Sequence, residues 1–265
     1  MSDDERFALI VCGVVACLGT LRWLFYYTRS PGLGWSWLMR AGFLAVPLAC
    51  FAAMVVLLKL YSAHDVRDSF TYMSFYSIMG VAWVNVVLWP AALIGLEIRG
   101  DIIERRNPAA AWAVAGLLIG LTLGFTGGNI GDGPGWWVVV FCAMVETAVF
   151  YLLWVCAEPI TRFTESITVE RDTACGLRFG ALLVASGLVL GRAVAGDWES
   201  ARATLNDFSQ DAWGVCLIWL FAVLVEFILR PTAERAPGNV VLAGLLPGLV
   251  YLGGAAGWLV HVGWW

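Results

Sequence analysis

"ERRNPAAAWAVAGLLIGLTLG", residues 104–124, sets four charged or polar residues and a proline against an apolar run rich in alanine and glycine. From Pro108 to Trp136 the one ionisable side chain is Asp132. A helix needs about 20 such residues to cross a ~30 Å hydrocarbon core. The pattern returns in "VERDTACGLRFGALLVASGLVLG", residues 169–191, where a charged cluster again opens a small-residue segment.

The whole chain follows suit. Hydrophobic residues make up 60% of it and charged residues 14%, against about 25% charged in a soluble domain; the mean hydropathy is +0.79. Eight segments are long and apolar enough to span: 7–27, 36–60, 71–96, 108–127, 136–157, 174–195, 213–230 and 238–263. Lipid offers no partner to free backbone groups, so each segment must be helical. The alternating ten-residue strands of a membrane barrel are missing. The expected fold is therefore an all-α integral membrane protein, one polytopic domain over residues 1–265.

Lys and Arg outside the segments set orientation. Assigned to the nearest helix end, Arg22, Arg29, Arg40, Arg99, Arg105, Arg106, Arg162, Arg171, Arg178, Arg230 and Arg235 gather on one side. Arg6, Lys59, Arg67, Arg192 and Arg202 gather on the other. The arginine-rich side is expected to be cytoplasmic, with both termini outside. "MSDDER" at the start lacks the basic region of a cleaved signal peptide, so the first segment is expected to stay. The cysteines form no C-x-x-C pair and read as small packing residues rather than a disulfide framework or zinc site.

The chain also repeats itself. Ile103-Glu104-Arg105, Val169-Glu170-Arg171 and Ala233-Glu234-Arg235 recur at near-constant spacing, each ahead of a segment of one type. "AGLLIGL" (115–121) returns as "AGLLPGL" (243–249), with weaker forms at 41–47 and 180–186. The odd-numbered segments are bulkier. The unit is a hairpin of a small-residue helix and a bulky one: segments 2–3 (36–97, divergent), 4–5 (104–159) and 6–7 (168–231). The terminal segments, 7–27 and 238–263, are expected to complete a fourth pair, 8 with 1, in space.

Association in lipid relies on close backbone packing. Gly116, Gly120 and Gly124 lie four apart, as do Gly176/Gly180, Gly187/Gly191, Gly244/Gly248 and Gly253/Gly257. Packing is the plain reading of this pattern; lining a pore is the other. The boxes Glu104-Arg105-Asn107, Glu170-Arg171-Asp172 and Glu234-Arg235 mark where helices enter the membrane from the cytoplasmic side. Asn107 or Asp172 can cap the free N–H groups there, and Pro108 suits a first turn.

The stretches "RRNPAAAWAVAGLLIGLTLG" (105–124), "YLLWVCAEPITRFTESITVE" (151–170) and "RDTACGLRFGALLVASG" (171–187) resemble the YjfL-type bacterial inner-membrane family over residues 99–200. Asp172 stands where that pattern has Asn, and Cys175 where it has Ala. The family has no assigned biochemical role, so the resemblance implies architecture and a place in the bacterial inner membrane, and carries over no catalytic residue.

Among candidate chemistry, Glu146 stands out near the middle of the fifth segment. An ionised carboxylate there costs at least ~2.5 kcal/mol, so the group is an ion or proton site, or else a neutral carboxyl bonding between helices. Aligning Glu97 with Glu158 puts Asn85 at the same depth, as its expected partner. Glu226, four residues before Arg230, is expected to form a local ion pair. "GGNIGDGPGWW" (127–137) lacks the Gly-Lys-Ser/Thr of a phosphate loop. "DWESARATLNDFSQD" (197–211) spaces Trp198, Ala201, Leu205 and Phe208 for a short interfacial helix. His64 and His261 could hold a haem only if they faced one another.

No reactive constellation is present, and no catalytic residue, metal or cofactor is expected. The favoured expectation is a non-enzymatic inner-membrane module, structural or docking, in an envelope complex. The alternative is an ion or proton channel or secondary transporter using the mid-membrane carboxyl. Its expected partners are the bilayer and a membrane protein or further copies of itself, with no role for nucleic acid.

Overall fold

A computed structural model of the protein describes residues 1–29, 34–231 and 238–263. The described residues form helices and their connections, with no strand beyond isolated bridges of Ser62 with Ile130 and Gly131. Eight helices are long and apolar enough to cross a membrane. Seven of these spans involve α1 (Asp3–Arg29), α2 (Trp37–Tyr61), α4 with α5 (Phe70–Val87, Trp89–Ile94), α6 (Pro108–Gly127), α7 (Trp136–Thr161), α9 (Thr173–Ala193) and α10 with α11 (Ala201–Ala212, Gly214–Leu229). The eighth joins a π-helical turn, Val240–Leu245, to α12 (Leu246–Val262). Short helices α3 (His64–Arg67) and α8 (Phe163–Thr168) and a π-helical turn at Ile98–Glu104 lie in the connections.

Local chemistry sets the helix starts. Asn107 Oδ1 accepts from Ala109 N at 3.0 Å and Pro108 takes the first turn, where a missing N–H costs nothing. Asp172 accepts from Ala174 N at 2.9 Å and starts α9 in the same way. Ser36 does this for α2, accepting from Met39 N at 3.2 Å. Asn239 does it for the eighth span, accepting from Val241 N at 2.8 Å. The box Glu234-Arg235 and the first helix's end at Ser30-Pro31 lie outside the described residues.

Packing runs between small-residue helices more than within hairpins. α6 lies along α9, α9 along the eighth span and α2 along α6, so these four form a row. Glycine makes the closest approach possible. A methyl on Gly116 would stand 2.2 Å from Gly180 O, one on Gly187 2.2 Å from Gly120 O, and one on Gly127 2.0 Å from Gly191 O. From the other side, Gly176 and Gly191 meet the Ala109 and Leu123 carbonyls. Asn107 and Asp172 are 65 residues apart, and the α6–α9 contacts keep nearly that offset, so the two helices run parallel and level.

Helices 1 and 8 do not form the expected fourth pair. α1 packs chiefly on α4, whereas α12 packs on α9 and α11. Gly244 and Gly248 do face inward, against Ala174 and Ala181 of α9, while Gly253 and Gly257 have no non-local atoms nearby. The cause is the row itself: its glycine faces bind the next small-residue helix, which leaves α1 and α12 on opposite flanks.

Pro47, inside α2, leaves the Phe43 carbonyl without its N–H partner one turn back. Trp23 Nε1 donates to Phe43 O at 2.9 Å, below Pro47. Arg178 Nη1 donates to Ala243 O at 3.1 Å, in the π-helical turn that leads into α12.

Candidate functional site: a buried carboxyl beneath an acidic cavity

Glu146, on α7, is fully buried. Its carboxyl rests on the backbone of α6: a methyl on Gly124 would lie 2.1 Å from the Glu146 Cδ. Thr147 Oγ1 donates to Glu146 Oε2 at 3.1 Å and accepts from Trp83 Nε1 at 3.3 Å. Glu146 Oε1 has no hydrogen-bond partner among the described residues.

Asn85 is not that partner. Its carboxamide donates to Val81 O of its own helix at 2.9 Å and packs against Gly19 of α1. It borders an apolar cavity of about 310 Å³ among α1, α2, α4 and α6. Depth was the basis of the expected pairing, but azimuth governs contact: Trp83, two residues away and roughly 200° around the helix, is the α4 residue that reaches the Glu146–Thr147 pair.

One turn above Glu146, Cys142 forms part of the wall of another cavity of about 150 Å³. Loop 128–135, residues 193–198 and Tyr76 complete much of that wall. The loops are laced together: Gly196 N donates to Ile130 O at 2.9 Å, Trp198 N to Asp132 O at 2.8 Å, and Asp132 N to Asp197 Oδ1 at 2.7 Å. Gly131, at φ +107°, meets the Gly196 carbonyl too closely for any side chain. The Gly-Asp pairs 131–132 and 196–197 share the 65-residue spacing of the caps, a signal that sequence reading passed over.

Below Glu146, Phe150 and Trp154 are fully buried, and Tyr151 donates to Val87 O at 2.5 Å. Trp154 Nε1 donates to Glu158 Oε2 at 3.1 Å, and Glu158 Oε1 accepts from Thr164 N at 2.8 Å. Glu146 is thus closed off by aromatic rings on this side.

A second buried ionic cluster lies near the capped ends. Arg178 grips Glu226 with two N–H groups, Nε to Oε1 and Nη2 to Oε2 at 2.8 Å, and Asp172 Oδ2 stands 3.7 Å from Nη1. The expected Glu226–Arg230 pair is replaced by this one. Glu226 is buried between helices, and the planar guanidinium of Arg178 on α9 reaches both oxygens. At the helix-start boxes, Glu104 bonds Arg99 at 2.9 Å, Arg105 lies 3.4 Å from Asp101, and Arg171 donates to the carbonyls of Arg105 and Arg106. Glu170 is exposed.

His64 pairs with Asp68 at 2.9 Å, and His261 lies against the Trp258 ring. The cysteines within the described residues are all free. Of the segment expected to be interfacial, Ala201–Ala212 form α10 with Phe208 buried, and Trp198 packs edge-on to Trp137 and Phe141.

No family model matches the chain, and neither does any curated protein or solved structure. Membership of the multi-pass membrane class therefore rests on the eight spans themselves.

Proposed function

We propose that the protein is a non-enzymatic, gated cation pathway of the bacterial inner membrane, with Glu146 as a proton-carrying site. One observation carries this reading: Glu146 is fully buried within a span, yet one carboxyl oxygen has no partner and the other bonds only its own neighbour. A carboxyl kept as a structural tie would bond to another helix, and Glu146 makes no such bond among the described residues. The structural or docking alternative therefore loses its account of this residue. The conformation described is closed, with aromatic rings on one side and Cys142 on the other. We also propose that three of the small-residue spans, α2, α6 and α9, head repeated hairpins, in line with the YjfL-type resemblance, and that the arginine-rich end faces the cytoplasm.

Flux through proteoliposomes tests the main reading. With a potassium gradient and valinomycin as the driving force, the wild type is expected to acidify vesicles holding a pH-sensitive dye. Glu146→Gln, which keeps the shape but cannot exchange a proton, should abolish that flux while leaving thermal unfolding nearly unchanged. Wild-type flux in the Gln variant, or none above protein-free vesicles in the wild type, would overturn it.

A further inference from the structure

We infer that the cavity above Cys142 binds a small organic cation with more than one amino group, a linear diamine or polyamine. Glu5, Asp65, Asp132, Asp197 and Asp207 line it, together with no lysine, arginine or histidine. Nearby acids outside the cavity are paired: Asp68 with Lys59 at 3.8 Å and Asp211 with Arg192 at 3.6 Å. Asp65, Asp132, Asp197 and Asp207 form no ion pair among the described residues. A concave wall of one sign concentrates the opposite charge.

Polar atoms of two largely buried residues, left without a protein partner where they face the cavity, provide the independent evidence. Tyr76 lines the cavity with only 7% of its surface exposed, and its hydroxyl makes no hydrogen bond among the described residues. Asn129, also on the wall and 6% exposed, donates its Nδ2 to Phe125 O at 2.8 Å, while its Oδ1 receives no donor there. Here the free positions are acceptors, or a hydroxyl able to accept, and they call for a ligand rich in N–H donors. An ammonium group carries three such donors and no acceptor.

The spread of the carboxylates selects among cations. No three Asp, Glu, His or Cys side chains converge at metal-ligating range among the described residues. The five acids come instead from α1, α3, the 128–135 loop, the 193–198 segment and α10. A ligand with separated positive ends can reach several of them, which a single ion cannot. Trp198 and Tyr72 add aromatic wall, which favours an alkylammonium over a strongly hydrated metal ion. A cavity of about 150 Å³ accommodates a short alkyl chain.

The test is calorimetric titration of the full chain in phosphatidylcholine nanodiscs at constant ionic strength. The probes are putrescine and spermidine, with butylamine and Mg²⁺ for comparison. Putrescine or spermidine should bind saturably, and more tightly than either comparison probe. Tyr76→Phe should weaken binding about tenfold, the loss expected for one hydrogen bond to a charged group, with unfolding unchanged. Asp132→Asn combined with Asp197→Asn should remove binding; if that pair fails to fold, Asp207→Asn on exposed α10 should weaken it. Glu146→Gln should bind like the wild type, so a failed flux assay leaves this result standing. Absence of saturable polyamine binding, tighter binding of Mg²⁺, or unchanged affinity in both Tyr76→Phe and the foldable Asp variant would overturn the inference.

Discussion

Arg178 carries the sharpest energetic consequence of any single side chain. It is fully buried, and it serves both Glu226 and the Ala243 carbonyl. Removing one member of a buried ion pair leaves a stranded charge and costs about 3–5 kcal/mol, whereas replacing both with apolar residues is often neutral. Arg178→Met should therefore destabilise strongly, and Arg178→Met with Glu226→Leu should recover most of the loss, though not the bond to Ala243 O. Unfolding in mixed micelles measures both; equal losses would refute the coupling. The sequence made Glu226 visible as a charge in an apolar run, but not its partner. Arg230, one turn away, is the local default, and only the rotation of α9 against α11 brings Arg178 to it. Glu146 was legible for the same reason as Glu226. The unfilled acceptors of Tyr76 and Asn129 were not, because nothing in a sequence says which hydroxyl or amide goes unpaired.

At the scale of elements, identical glycine spacings have different fates. Gly187 meets the Gly120 carbonyl, while Gly253 and Gly257 meet no non-local atom. Gly187→Val should separate α6 from α9 and cost at least the ~1–3 kcal/mol of an overpacked core. Gly257→Ala should be neutral or stabilise by up to about 1 kcal/mol through helix propensity. Thermal unfolding of the two variants distinguishes them, and a larger loss at Gly257 would contradict the packing described here. Spacing revealed that the helices have small faces, but not which neighbour each face meets. The caps were more readable, since Asn107-Pro108 and Asp172 carry their own chemistry. Ser36 caps its span with no Glu-Arg box before it, while Asn239 caps the eighth span four residues past Arg235.

Across the whole molecule, span number was legible because it depends on composition alone. Neighbour order was not, because it depends on which faces fit: a fourth pair of α1 with α12 was expected, and a row with the two on opposite flanks is found. The proposed orientation is checked at the same scale. Reporter fusions after residues 101 and 165 should read cytoplasmic and a fusion at 132 external; an external signal at 165 would reverse the molecule.

The lacing of α6 to α9 bears on how such a protein could move. The two helices touch along their length through glycine, and they are tied at one end by Arg171 to the Arg105 and Arg106 carbonyls. At the other end they are tied by Asp132 N to Asp197. A plank fastened at both ends and glued along its seam does not open there. It behaves as a strut, and any hinge that admits a cation to Glu146 belongs to the rings of α7 and the flanking α4, turning against a part that stays still.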